Sequence, residues 1–166
     1  MAGMIEQLLE LMNEQASRYE DLLGLSKEKR GVIIANDIEG LQKITHLENI
    51  LVSQNQKLEK KRQGVIRDIS QVMGKDETEM TLGALIGLME GQAEQADLIK
   101  TGNRIRETLN ELSELNGCNA SLVDNALDYI EYSLNLIRSA VEQDPGVYSP
   151  KGEQPRNETN IFDAKH

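Results

Sequence analysis

The 166-residue chain has no tryptophan, one phenylalanine and four tyrosines. Its core must therefore be aliphatic, assembled from Leu, Ile, Val and Met as in many helix bundles. Proline is scarce and confined to Pro145, Pro150 and Pro155. Because proline removes a backbone donor and clashes with the preceding turn, residues 1–143 can be helical and the remainder is expected not to be. The lone cysteine, Cys118, cannot close an internal disulfide, which excludes a stapled secreted scaffold. The two histidines, His46 and His166, form no His/Cys cluster for a metal and no partner for a nucleophilic Cys118. No P-loop is present either, since Gly83, Gly87 and Gly91 recur at a helical period and lack the following Lys-Ser/Thr. These absences argue against an enzyme and against any cofactor.

Positive charge is also in deficit: 18 Lys and Arg stand against 28 Asp and Glu, a formal net charge of −10. Nucleic acid, whose phosphates require cations to displace counterions, is disfavoured, as is an anionic membrane surface. The longest aliphatic run is Val32–Ala35, far below the ~20 residues of a membrane span, so no membrane insertion is expected. The stretch Met1–Gln15 carries acids where a signal peptide needs a basic region and an apolar core. A cytoplasmic location is the default.

What remains is helical periodicity. Ile5, Leu8, Met12, Gln15, Tyr19, Leu22 and Ser26 repeat in steps of three and four, with Leu9, Ala16 and Leu23 widening the stripe. This first helix is expected to reach Ala35. Asn36 followed by Glu39 reads as an N-cap with its capping-box partner, opening a second helix. That helix shows Leu41, Ile44, Leu47, Leu51, Leu58, Val65, Ile69 and Val72, and should end before Gly74. Its middle, SQNQKLEKKRQ, holds one apolar residue, and the acids of the first helix are its expected partners. Thr81 can cap a short helix, LGALIGLMEG. The strip Gly83, Gly87, Gly91 in it means close helix packing or weakness near a chain reversal; the alternative is a shallow groove beside Met80 and Met89. From Ala93, Leu98, Ile105, Leu109, Leu112 and Leu115 lead into a last helix. The fold class is all-α: an elongated antiparallel bundle of three to four long helices over 1–143, with a flexible polar tail over 144–166.

The last helix carries a seam of Val123, Leu127, Ile130, Leu134, Ile137 and Val141, widened by Leu122, Ala126, Tyr129 and Leu136. Asn116, Gly117 and Asn119 interrupt the pattern upstream. The seam is open to two readings: packed core, or a face receiving an amphipathic partner segment. The Asn-x-Ser/Thr triplets at Asn119 and Asn157 carry no weight in a cytosolic chain.

Three stretches in register resemble one known family. GLQKITHLENILVSQNQKLEKKR is similar to the second helix of the FlgN-type flagellar export chaperones. LNGCNASLVDNALDYIEYSLNLI resembles their C-terminal helix, with its Asn-x-x-Asn-x-x-Leu-Leu/Ile pattern at Asn116, Asn119, Leu122 and Val123. YSPKG looks like the family's Tyr-x-x-x-Gly. The resemblance implies an ATP-independent chaperone of bacterial flagellar type III secretion. Such a chaperone binds C-terminal segments of hook-associated (hook–filament junction) proteins, prevents their premature assembly and delivers them to the export gate. It further implies cargo binding at Leu122, Val123, Leu127, Ile130, Leu134 and Ile137, with Asn116 and Asn119 as family signature. Tyr148 would dock on the cytoplasmic domain of the export-gate protein, and self-association through an unoccupied seam stays open. The rival from the residues alone is a non-enzymatic helical-bundle or coiled-coil adaptor unrelated to export.

Overall fold

The computed structural model describes residues 2–143. The expectations for the three prolines, Tyr148 and the tail over 144–166 fall outside the described residues, as does the side chain of Val141. Four helices follow in order: α1 (Ala2–Ile34), α2 (Ile38–Val72), α3 (Leu82–Leu88) and α4 (Ala93–Gln143), with no strand among the described residues. The all-α expectation holds, and the glycine-marked segment forms a short helix of its own. One compact unit extends to Ala126 and a second begins at Leu127.

In the first unit α1 is the shared element. Its stripe buries Ile5, Leu8, Met12, Gln15, Ala16, Leu22, Ser26 and Ile33. α2 returns antiparallel along it, as Gln15 donating to Glu59 (3.1 Å) and Lys29 pairing with Glu48 (2.8 Å) show. α4 runs in the same direction as α1: Thr101 donates to Asn13 (3.1 Å), Arg104 clamps Glu20 (2.5 and 2.6 Å), and Lys27 meets Glu111 (2.7 Å). At the end holding the α1 N-terminus, α3 and its preceding loop fill the space among the long helices. There Met80, Leu85 and Met89 join Leu8, Met12, Leu58, Val65, Ile69 and Leu98 in one core.

The polar middle of α2 is met differently from the expectation. Instead of acids, α1 supplies the Gln15 amide to Glu59 and the Arg18 guanidinium to Gln54. The acid in this stretch is α2's own Glu59, held by Arg62 one turn on. Leu58 and Asn55 face inward and are buried, which the low apolar count of the stretch concealed.

The link between α1 and α2 also corrects a prediction. Asn36 is not the N-cap; it sits in the left-handed region (φ 54°) and terminates α1. Its N–H donates to the Ile33 carbonyl (3.1 Å) and the Asp37 N–H to the Val32 carbonyl (2.9 Å), the hydrogen-bond pair of a Schellman ending. Asp37 is the N-cap of α2, its side chain accepting from the Gly40 N–H (2.9 Å). Glu39 pairs with Lys43 (2.7 Å) rather than closing a capping box. So short a link needs one residue that tolerates positive φ, and asparagine does so better than aspartate's other neighbours. Thr81 caps α3 as its spacing predicts, accepting from the Ala84 N–H at 3.1 Å.

The reading of the glycine strip as close packing does not survive, and the methionines expected to flank a groove are not available at the surface. A Cβ at Gly87 would meet nothing within 4 Å, and one at Gly83 only the Thr81 hydroxyl at 3.9 Å. Gly91 has φ +84° and turns the chain after α3, the reversal reading for that one position. Met80 and Met89 are buried in the core. The close approach lies instead at Gly102 of α4, whose Cβ would stand 3.3 Å from Leu82.

Replacing Asp37 by Ala should lower stability by about 1 kcal/mol in urea denaturation, through loss of the cap. Asn36→Val should cost about 1–2 kcal/mol, whereas Asn36→Gly is tolerated, because only the former strains the left-handed position.

Candidate functional site

Along α4 the burial pattern changes at Ala126. Leu122, Val123 and Ala126 are half-buried. Beyond them Leu127 is 59% exposed, Ile130 52%, Leu134 48% and Ile137 61%. These four are therefore not core. Tyr129, Tyr132 and Leu136 are exposed on the flank of the same helix. At 3.6 residues per turn the apolar positions cover roughly 220° of the circumference. Asp124, Asp128, Glu131, Asn135 and Arg138 form the opposite, polar stripe, and Asn125 and Ser133 are the polar residues within the apolar arc. A helix apolar over most of its surface is ordinarily covered, and contiguous exposed apolar surface marks an interaction site.

The two asparagines upstream do not interrupt the helix, which continues through Gly117. They form a clasp on α1. The Asn119 amide donates to the Ser26 carbonyl (2.9 Å) and hydroxyl (3.3 Å), and the Ser26 hydroxyl donates to Asn116 Oδ1 (2.8 Å). Asn119 is buried and Ser26 wholly so, while Asn116 stands at the exposed edge. The chain of donors has one direction, from Asn119 through Ser26 to Asn116. It fixes the position of α4 on α1, because a one-residue slip would strand buried polar groups at ~1–3 kcal/mol each. Ser26 lay within the predicted apolar stripe without its partner being recognised. The available signal was a polar residue at a core position in each of two helices.

A second feature was missed altogether. Past the end of α3, α1 and α2 line a groove in two sections that share Leu22 and Val52: the first, of about 420 Å³, is lined by α1 and α2 alone, and the second, of about 470 Å³, by α1, α2 and α4. Asn55 lines the first section. It is 5% exposed, and neither its Nδ2 nor its Oδ1 finds a hydrogen-bond partner among the described residues. Asn119, 3% exposed, lines the second section, and its Oδ1 is likewise unpaired there. Close by, the bidentate Arg62 guanidinium (2.7 and 2.9 Å) and the Gln15 amide hold the Glu59 carboxyl below its ordinary value, against the opposing effect of burial. Burial and the Glu59 charge raise the Tyr19 phenol above 10.0.

Catalytic geometry does not emerge. Cys118 and His46 are exposed, and among the described residues no three His, Cys, Asp or Glu side chains are disposed to hold a metal. No described helix is long and apolar enough to cross a membrane. An all-helical body displaying an apolar helix is the build of a protein that binds other proteins. The model of the family described as "FlgN protein" matches residues 1–156, and the chain belongs to that family. Its general role is accordingly that of a flagellar export chaperone. No curated protein and no solved structure matches the chain.

Removing the clasp from its buried end should cost most. Asn119→Ala and Ser26→Ala should each destabilise by about 1–3 kcal/mol in urea unfolding, and Asn116→Ala by less than either. Glu59 supplies a pH-dependent check. Its folded value is depressed, so its contribution is present above the ordinary value near 4.5 and is lost as pH falls through the lower folded value. Glu59→Gln should therefore be less stable than the wild type at neutral pH, with the difference vanishing in acid unfolding titrations below 4.5.

Proposed function

We propose that this protein is a cytoplasmic export chaperone whose cargo is the C-terminal segment of hook-associated (hook–filament junction) proteins. It holds that segment out of premature assembly and delivers it to the export gate. The observation that carries the reading is the exposure of Leu127, Ile130, Leu134 and Ile137 on one seam of α4. A holdase needs an apolar face that its own body leaves uncovered, on a chain charged enough to stay dispersed. Burying a few Leu-sized side chains at ~1.5–3 kcal/mol each supports micromolar binding after the ordering cost of a disordered cargo is met.

In this reading Leu122 and Val123 begin the cargo-binding seam, and Asn116 and Asn119 secure the helix that bears it. The helical body over 1–143 retains cargo, and the tail over 144–166 makes a separate contact through Tyr148 with the cytoplasmic domain of the export-gate protein. Without cargo, the same seam is available for self-association.

The double variant Leu127→Asp, Leu134→Asp should lose co-purification with hook-associated proteins while its circular dichroism and urea midpoint stay at wild-type values, since both side chains are exposed. Loss of fold together with binding would return the seam to the core and remove the basis of the reading. Tyr148→Ala should retain cargo in pull-downs yet impair its export, measured by secreted junction protein; loss of cargo binding would argue against a docking role.

A further inference from the structure

We propose that the end of α4 receives the escorted segment as a helical hairpin, not as a single helix. One helix of the hairpin lies on the seam of Leu127, Ile130, Leu134 and Ile137, and the other on a second seam one residue behind it. The proposal rests on the cargo reading above.

The second seam is Leu122, Ala126, Tyr129, Ser133, Leu136 and Ala140, in alternating steps of four and three. All but the last of these directly precede a member of the first seam, from Val123 to Ile137. Both seams therefore run along the same stretch of helix, each with the heptad spacing that receives a partner helix. One residue turns an α-helix by about 100°, so the seams point about 100° apart. Tyr129 is 72% exposed and Leu136 53%, and Ala140 is exposed, so the second seam is as uncovered as the first. Ser133 is its polar member, and its hydroxyl donates to the Tyr129 carbonyl (2.8 Å), so covering it strands no donor.

One docked helix is too narrow for this surface. A helix-on-helix contact takes a stripe about 100° wide, less than half of the roughly 220° arc that is apolar here. Neighbours stand about 60° apart around a member of a three-helix bundle and about 90° apart in a four-helix bundle, and the two seams are closer to the second case. Helices seated this way lie side by side and meet over Ala126, Ser133 and Ala140, whose small side chains leave room for the contact. A hairpin supplies such a pair from one chain, and its connection holds the second helix at high effective concentration once the first has docked. Two separate partners would each bear the cost of association. The outer edges of the seams set the chemistry of each occupant. The first seam is bordered by Asp124, Glu131 and Arg138 at heptad spacing, which calls for two basic residues and one acidic residue on the helix lying there. The second is bordered by Asn125, Tyr132 and Ser139, which calls for uncharged polar residues on its neighbour.

The test uses the full chain and a purified full-length hook-associated protein, with affinity read by calorimetry and fold by the urea midpoint. The double variant Tyr129→Asp, Leu136→Asp should weaken binding by about tenfold or more with the midpoint unchanged, because both side chains are exposed in the free chain. Ser133→Leu should weaken it about tenfold, because the added bulk separates two helices that meet there. With the first seam alone occupied, the same change would leave affinity equal or raise it. Hydrogen exchange on the complex should protect two stretches of the cargo's C-terminal segment, joined by an exchanging turn. If both second-seam variants bind as the wild type does while Leu127→Asp, Leu134→Asp fails, the hairpin proposal is overturned and the seam reading stands. A single protected stretch in the cargo has the same meaning. If the wild type does not bind the cargo, both fall. A complex with two chaperone chains in sedimentation equilibrium, reduced to one by Tyr129→Asp, Leu136→Asp, would also overturn the proposal, since it would assign the second seam to a second copy.

Discussion

The stripe of α1 is buried from two sides at once, and the first compact unit takes its order from that sharing. α2 reads its register from Gln15 and Lys29, on one edge of the stripe. α4 reads its own from Asn13, Glu20 and Ser26, on the other. Because α2 and α4 meet α1 on separate flanks, the space between them has to be filled by something else. At one end the chain provides α3. At the other it provides no element within the described residues, and the floor of α1 is left as a groove. A single apolar stripe thus defines both the core and the recess.

Much of the helical plan was legible because it depends on local signals. The 3–4 spacing from Ile5 to Ser26 located the buried face of α1, and Val72 before Gly74 located the end of α2. Thr81 was recognisable as a cap because capping needs only one side chain and one N–H three residues on. The Asn36–Asp37 link was misread because either residue can cap. The choice between them depends on how short the connection is, which is a tertiary constraint. The glycine strip misled for a related reason. A period of four suggests a packing face, but packing needs a partner at that face, and the close approach proved to be at Gly102.

The candidate site was legible in part. The seam's apolar character is written in the sequence, but its exposure is not, since the same pattern serves core and surface alike. The clasp and the groove were illegible because both pair residues more than twenty positions apart. Ser26 and Asn119 are separated by 93 positions, and nothing in either helix alone announces the other. What the sequence does offer is a mismatch, a polar residue where periodicity calls for an apolar one. Ser26, Asn55, Asn116 and Asn119 all have this character. Three of them are joined in one network, and Asn55 is the one left over. Buried polar groups often trade stability for the definition of a register, and Ser26 and Asn119 put that trade to use on α1 and α4.

The brevity of α3 has a bearing on how the chain folds. Seven residues are too few to hold a helix in water, because nucleation costs more than so few hydrogen bonds return. α3 therefore forms only when the core that its Leu85 joins, shared by α1, α2 and α4, is already assembled. The hairpin of α1 and α2 has the opposite character: its turn is short and capped on both sides, and its contacts are close in sequence near the turn. That places the hairpin early in the order of assembly, the docking of α4 next and α3 last. By the same reasoning, the amides of α3 should open before those of the α1–α2 hairpin in native-state hydrogen exchange.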